Sequence, residues 1–113
     1  MPKSKKKGYR VERKVRLFFE KYGWKVIRAG GSLGEADLVC FKGKKALFLQ
    51  IKSTKKPVFY YYGLEMKKLE GFPFLLVVDF GYGNTKVIYP KSKIRNDEGT
   101  PLEDFLLLNT NKY

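Results

Sequence analysis

Two β-rich runs joined by a tight basic turn constrain the fold of this chain more than any other stretch. The runs cover residues 36–41 and 46–52, and Gly43 between them supplies the positive φ that a short hairpin turn needs. A turn of two residues and a turn of four give the same register, because the numbers of facing residues have the same sum in both. That register places Asp37 directly opposite Gln50.

Polar residues lie in these strands where a buried strand should have none. Side chains alternate between faces along a strand, so Asp37, Gln50 and Lys52 share one face of the hairpin. Facing pairs approach to roughly 5 Å between their Cβ atoms, which predicts that a carboxylate, an amide and an ammonium group converge on one patch. The alternative is an ion pair between Asp37 and Lys52 at a sheet end, with Gln50 partly exposed. The opposite face is filled by Leu47, Leu49 and Ile51.

The size and charge of the chain favour a single domain that binds nucleic acid. With 113 residues, 43% of them hydrophobic, we expect a flexible basic arm over 1–7 and one domain over 8–113. Lys and Arg number 24 against 11 acidic residues, and a net charge of +13 is most simply neutralised by phosphates. An anionic membrane surface is the alternative. No apolar run reaches the roughly 20 residues of a spanning helix and no signal peptide precedes the basic start, so we expect a soluble, cytoplasmic protein.

The residue types that are missing narrow the possible chemistry. The chain has no histidine and one cysteine, Cys40, which lies in a strand among apolar neighbours and is expected to pack in the core. Zinc fingers, histidine-dependent nucleases, Ser-His-Asp hydrolases and Cys-His nucleophiles are excluded, since each needs an imidazole or several thiolates. Any phosphodiester chemistry therefore relies on carboxylates and a hard metal ion.

The first regular element is a predicted helix over 8–22, which Gly23 is placed to end. Its apolar stripe consists of Val11, Val15, Phe18 and Tyr22. Its other face is basic, with Arg10, Arg13, Lys14 and Arg16. Glu12 on this face could merely pair with Arg16 one turn later. The lysines of the preceding arm either attract phosphates or keep the chain soluble.

The remaining elements complete an α/β fold. We expect strands over 24–29, 74–80 and 85–89, a short helix over 64–69 and a terminal helix that starts at residue 100. Together with the hairpin, these elements predict an α/β sandwich with a central mixed five-stranded sheet flanked by helices.

Two loops hold possible binding residues. Residues 30–34 contain three glycines, which would let the backbone approach a ligand closely, but they lack the Gly-Lys-Ser/Thr ending of a Walker loop. Lys55 and Lys56 precede four consecutive aromatic residues, and such mixtures hold nucleic acid by charge and stacking. The alternative is that Phe59 and Tyr61 pack in the core or against a second subunit.

Several motifs occur together in one order. They are Lys7-Gly8 followed by Glu12-Arg13, then Arg-Ala-Gly-Gly-Ser at 28–32, Asp37, and Gln-Ile-Lys-Ser-Thr at 50–54. An early acid on a helix, a Gly/Ser-rich loop, an acid that starts one hairpin strand and polar-x-Lys on the other resemble the PD-(D/E)XK nucleases. More narrowly, the chain resembles the archaeal-type Holliday junction resolvases, and this resemblance implies a restriction-endonuclease-like core. The match covers residues 7–56, and the remainder agrees by element order.

The resemblance implies a metal site on the hairpin. Glu12 and Asp37 would ligate Mg²⁺, or Mn²⁺ in its place, and Gln50 and the backbone carbonyl of Ile51 would complete the site. Lys52 would orient or polarise the attacking water. The physical chemistry agrees, because a divalent cation held by oxygen atoms lowers the pKa of bound water and offsets the charge that develops on the phosphate.

The resemblance also implies a substrate and a reaction. Ser32, as a further catalytic residue, would approach the scissile phosphate of a four-way DNA junction. Two sites of a homodimer would cut opposed strands, with no small-molecule cofactor and no membrane involved. The alternatives are another repair or restriction-type nuclease on the same core, and a basic DNA-binding protein that does not cleave. The residues expected to contact DNA are Lys5, Lys6, Lys7, Arg10, Arg13, Arg28, Ser32, Lys55 and Lys56.

Two positions depart from the pattern of the superfamily. Ala36 replaces the proline of the motif, and Gln50 replaces the usual acid. An amide offers an oxygen ligand without negative charge, so metal affinity should be weaker. Three explanations for Gln50 stay open: an active native variant, an alteration that keeps a substrate intact, and a natural binder with little activity.

Overall fold

The structure is a computed structural model that describes residues 3–29 and 34–110, with the side chains of 3–8 and 110 excepted. The bounds of its helices and strands are α1 (Lys3–Lys21), β1 (Lys25–Arg28), β2 (Leu38–Lys42), β3 (Lys45–Ser53), β4 (Val58–Tyr60), β5 (Lys68–Leu69), β6 (Phe72–Asp79), β7 (Thr85–Ile88), β8 (Lys93–Arg95), β9 (Thr100–Pro101) and α2 (Leu102–Thr110).

A mixed sheet forms the centre of the fold. Within the described ranges it has seven strands in the order β1-β2-β3-β6-β7-β9, with β5 paired to β6 off this path. β3 and β6 run parallel, and their neighbours pair antiparallel. The predicted α/β fold with a central mixed sheet is confirmed. The sheet has two strands more than the predicted five, β5 and β9. Each of them is two residues long, which is too short to show a periodicity in the sequence.

The β2–β3 hairpin has the predicted register. Its Cα partners run from Leu38↔Leu49 to Lys42↔Lys45, and Gly43 in the turn has a φ of 59°. Asp37 is the residue immediately before the first of these pairs, at the end of the hairpin where Gln50 lies on β3.

Both helices cover the same face of the sheet. Val11, Val15 and Phe19 follow one another at four-residue spacing along α1, and Leu102 and Leu106 join them from α2. The strand residues in this cluster include Leu38, Cys40, Leu47, Leu49, Leu75 and Val77. Cys40 packs in the core as predicted, and burial raises the pKa of its thiol to about 12. Neither described helix is long and apolar enough to cross a membrane.

Strands cover the opposite face of the sheet. We call this face the ribbon side, and the face that α1 and α2 cover the helix side. A two-stranded ribbon of β4 and β8 lies there, and Tyr61 and Ile94 pack with Leu76 and Val78 of β6. A second cluster on this face contains Ala29, Ala36, Val39, Phe48 and Phe74. Gln50 follows Phe48 on the same face of β3 and lies beside Leu76 of β6.

The structure corrects three predicted element positions. α1 begins at Lys3, so residues 3–7 belong to the helix that we expected to start at Gly8; lysine is a good helix former, and the helix accommodates the glycine. α2 begins two residues later than predicted, because Thr100 and Pro101 pair with β7 as β9.

The third correction concerns residues 64–69, which do not form the predicted short helix. Lys68 and Leu69 instead form β5, and the turn that follows has φ values of 52° at Glu70 and 85° at Gly71. Two successive residues with positive φ are the type I′ pattern of a two-residue hairpin. Met66 and Leu69 pack against the cluster that contains Phe48. The apolar residues whose spacing suggested a helix therefore pack against the sheet.

Candidate active site

Asp37 is fixed where β1, β2 and β3 meet. Its backbone carbonyl accepts a hydrogen bond from the Ala29 N–H at 2.9 Å, and its own N–H donates to the Leu49 carbonyl at 2.7 Å. Its carboxylate oxygen Oδ2 accepts a hydrogen bond from the N–H of Ile51 at 2.7 Å. The alternative ion pair with Lys52 does not form between these two described residues. Asp37 therefore presents its charge from a constrained backbone.

Gln50 is a buried amide with a partner at each end. The residue is only 8% exposed, so the alternative of a partly exposed Gln50 is wrong. The Tyr61 hydroxyl donates to Oε1 at 3.0 Å, and Nε2 donates to Oε2 of Glu35 at 3.4 Å. Burial, and secondly the negative charge of Glu35, raise the pKa of the Tyr61 phenol above its ordinary value. The phenol is therefore protonated at neutral pH, and its O–H donates a hydrogen bond to the amide oxygen.

The backbone that follows β4 closes over the Tyr61 hydroxyl. A Cβ atom added at Gly63 would lie 2.3 Å from the hydroxyl oxygen and 2.4 Å from the ring carbon that bears it. Both distances are far inside van der Waals contact, and Tyr61 is 4% exposed, so the ring has little room to move. Only glycine at position 63 lets the chain pass over the ring and leaves the Tyr61–Gln50 contact in place.

Glu12 connects α1 to the strand beside Asp37. Its Oε2 lies 2.8 Å from Nε of Arg28, and its side chain is 15% exposed whereas that of Arg28 is 56% exposed. Arg28 pairs with Leu38 across β1 and β2, one residue from Asp37. The described partner of Glu12 is therefore Arg28 on β1 and not Arg16 on its own helix.

The predicted DNA-contacting residues include two exposed basic pairs. Arg10 and Arg13 are exposed on α1, and Lys55 and Lys56 are exposed in the segment after β3. Arg28 is half exposed beside Glu12, and its guanidinium also lies 5.8 Å from the centre of the Tyr9 ring. The predictions for Lys5, Lys6 and Lys7 concern helix residues whose side chains are outside the description, and Ser32 lies outside the described residues.

The residues predicted to bind a metal ion are brought together in part. Asp37 contacts Ile51, Gln50 is the neighbour of Ile51, and Lys52 follows on the same face as Gln50. Across 3–29 and 34–110 no group of three or more His, Cys, Asp or Glu side chains is arranged to hold a metal ion. The predicted donors are all oxygen atoms, the type that Mg²⁺ and Mn²⁺ prefer, although Oε1 of Gln50 also accepts from Tyr61.

Glu35 and Tyr61 were not predicted as site residues. Glu35 lies two residues before Asp37, and strand alternation was the one signal in the sequence that could have placed both carboxylates on the same side. Tyr61 belongs to the aromatic run for which packing was one of two interpretations. Packing is confirmed for Tyr61 and Phe59, while Tyr60 and Tyr62 are exposed.

The mixed sheet, the acid before one hairpin strand and the lysine on the other agree with the nuclease fold that the resemblance implies. A family model described as archaeal Holliday junction resolvase (Hjc) matches residues 3–111, which is nearly the whole chain. The chain therefore belongs to the archaeal Holliday junction resolvase family, a family that resolves four-way DNA junctions.

A solved structure supports the fold. The chain is similar to Hjc of Archaeoglobus fulgidus, a Holliday junction resolvase from an archaeal hyperthermophile, with a TM-score of 0.62 and 21% sequence identity. The match covers 79% of this chain and 84% of the other. At this identity the similarity supports the architecture.

Proposed function

We propose that the chain resolves four-way DNA junctions as a Mg²⁺-dependent endodeoxyribonuclease, with Mn²⁺ able to take the place of Mg²⁺. The observation that supports this most is the fixed Asp37 carboxylate, which the Ile51 N–H holds at 2.7 Å beside Gln50 and Lys52. This hydrogen bond holds the half-buried carboxylate in the position from which it would bind a divalent cation. Family membership supplies the substrate, the four-way junction.

The residues that would hold the metal ion are Glu12, Asp37, Gln50 and the carbonyl of Ile51. Their oxygen atoms fit a hard divalent cation, which when bound would make water more acidic and offset charge on the phosphate. Asp37 keeps its position through the Ile51 N–H, and Glu12 through Arg28. Lys52 would place a positive charge beside the reacting phosphate, where preorganised charge stabilises a transition state most.

Binding of the junction would rely on its phosphates. The net charge of +13 and the exposed pairs Arg10–Arg13 and Lys55–Lys56 offer a basic surface on α1 and a second after β3. Ser32 and the lysines of the first turns of α1 remain part of this proposal. A homodimer would provide the two sites needed to cut opposed strands, since one site alone nicks one strand.

The arrangement of Gln50 favours a second candidate, a junction-binding protein that does not cleave. Its amide oxygen already accepts a hydrogen bond from Tyr61, and an amide has no charge to attract a cation. This candidate differs from the first in one measurable respect, which is metal-dependent strand cleavage.

A cleavage assay with a paired variant tests the proposal. End-labelled four-way junction, linear duplex and single strand are incubated with the chain in Mg²⁺, Mn²⁺ or EDTA. We expect cleavage of the junction with either metal and none in EDTA, and a reduction on the order of 10²-fold or more in Asp37→Asn, because its carboxylate charge is lost. Asn retains an oxygen for the Ile51 N–H, so junction affinity should stay similar.

The control is Asp97→Asn, which removes a carboxylate from an exposed turn before β9 and should cleave like the unaltered chain. Junction binding without metal-dependent cleavage would favour the second candidate. A large loss of binding or of folding in Asp37→Asn would instead give Asp37 a structural role.

A further inference from the structure

A chain of hydrogen bonds crosses the ribbon side of the sheet from Tyr61 through Gln50 to Glu35. The Tyr61 hydroxyl donates to Oε1 of Gln50, and Nε2 of Gln50 donates to the Glu35 carboxylate at 3.4 Å. Tyr61 lies directly after β4, Gln50 lies on β3, and Glu35 lies two residues before Asp37. A half-buried carboxylate thus lies directly beside the buried amide at position 50.

Glu35 also fixes which way the amide of Gln50 points. In the observed orientation the amide nitrogen faces the carboxylate and the amide oxygen faces a hydroxyl donor. The reversed amide would set its oxygen against the carboxylate oxygen of Glu35, two acceptors with no proton between them. The orientation of Gln50 is therefore determined by its two neighbours.

Glutamine and glutamate have the same shape, so the position of Nε2 shows where a glutamate at residue 50 would place an oxygen. That position is 3.4 Å from Oε2 of Glu35. With Glu35 present, a glutamate at residue 50 would set two carboxylates side by side, and like charges at that separation disfavour each other. A carboxylate at either position, but not at both, gives this corner of the site one negative charge.

We propose that Glu35 supplies the carboxylate charge that Gln50 lacks as a ligand, and that Tyr61 and Glu35 hold Gln50 in one orientation. This inference rests on the proposed function, because the charge matters as part of the site that binds the divalent cation. Glu35 lies two residues before the fixed Asp37, so the same short segment of chain brings both carboxylates to the end of the hairpin.

The competing interpretation is that Glu35 only accepts a hydrogen bond from Gln50 and has no part in cation binding. Glu35→Gln separates the two, because glutamine keeps an oxygen that can accept from Nε2 while it removes the charge. Exchanging the two residues, in the double variant Glu35→Gln with Gln50→Glu, returns the charge to the site at the other position.

The experiment measures Mn²⁺ affinity of the full chain by electron paramagnetic resonance of free Mn²⁺, without DNA and without a cleavage step. Thermal unfolding of each variant checks that it is folded. We expect Glu35→Gln to bind Mn²⁺ about 10- to 100-fold more weakly than the unaltered chain and the double variant to regain most of the loss. The matched control is Glu65→Gln, an exposed carboxylate between β4 and β5, which should bind like the unaltered chain.

Two outcomes would overturn the role of Glu35: Glu35→Gln binding Mn²⁺ as tightly as the unaltered chain, or the double variant binding as weakly as Glu35→Gln. Asp37→Asn, measured in parallel, identifies which proposal fails. If Asp37→Asn loses affinity and Glu35→Gln does not, only the role of Glu35 is refuted. If the unaltered chain binds no Mn²⁺, or Asp37→Asn binds it equally well, the metal site of the proposed function fails and this inference fails with it.

Discussion

The two faces of β3 differ in what they contact. On the helix side, Leu47 and Leu49 join one large apolar cluster with α1 and α2. On the ribbon side, Phe48 packs in a small cluster, but Gln50 carries an amide with two polar partners. Burying polar groups lowers stability unless each is hydrogen-bonded, and even then an apolar residue of the same shape does as well. The helix side therefore stabilises the fold by apolar burial, whereas the ribbon side holds the polar groups of the candidate site with little net gain in stability.

The largest expected effect is on the helix side. Leu49→Ala should lower the free energy of unfolding by about 2 to 5 kcal/mol, because it removes a fully buried side chain at the centre of the cluster. Urea denaturation measures this loss. Leu108→Ala, which shortens an exposed side chain on α2, should stay within about 0.5 kcal/mol of the unaltered chain. A loss in Leu49→Ala no larger than that in Leu108→Ala would show that the helix-side cluster does not stabilise the fold.

A smaller loss is expected on the ribbon side, and a second substitution should reverse part of it. Gln50→Leu should cost about 1 to 3 kcal/mol, because the buried Tyr61 hydroxyl loses its acceptor. Adding Tyr61→Phe removes the unpaired hydroxyl, so the double variant should be more stable than Gln50→Leu alone. Urea denaturation of both single variants and the double variant gives the coupling energy. Additive losses would mean that the two side chains do not depend on each other.

The smallest effect is a loss of stability of about 1.4 kcal/mol between pH 8 and pH 10, which we expect from the helix side. Burial raises the pKa of the Cys40 thiol on the helix side from 9.0 to about 12, so the unfolded chain loses this proton first as pH rises. Stability should be complete below about pH 9 and fall by up to about 1.4 kcal/mol per pH unit between 9 and 12. Tyr61 on the ribbon side has its pKa raised from 10.0 and should add to the loss only above pH 10.

Urea midpoints at pH 8 and pH 10 for the unaltered chain and for Cys40→Ala measure this prediction. Cys40→Ala should be less stable at both values because it leaves a cavity, but its stability should fall less between them. Equal falls in the two proteins would show that the thiol ionises alike in the folded and unfolded chains.

Local interactions made the hairpin predictable. Its register depends on a turn glycine and on alternation over a few residues, and the structure confirms the pairing from Leu38↔Leu49 onward. The stripe of α1 was equally readable, since Val11 and Val15 recur at helical spacing and are buried. These features follow from neighbours in sequence and need no knowledge of the rest of the fold.

The partners of Gln50 could not be predicted in this way. Glu35 lies 15 residues before it and Tyr61 lies 11 residues after it, and neither belongs to the same strand as Gln50, so no strand or helix period relates them. Their meeting depends on how the ribbon packs over the sheet. Residues 64–69 show the same limit, because their apolar spacing suits a helix as well as the β5 hairpin that the structure contains.

The parallel pairing of β3 with β6 has a consequence for how the chain acquires its site during synthesis. Parallel neighbours cannot be joined by a tight turn, so the crossover over 54–71 must close before Gln50 comes to lie beside Leu76. Tyr61 belongs to that crossover, and closing such a long loop is a slow, non-local step. A nascent chain that has left the ribosome only as far as β3 can form the hairpin with Asp37, but it has no hydroxyl to orient the amide. The candidate site is therefore completed late, in the same event that joins the two halves of the sheet.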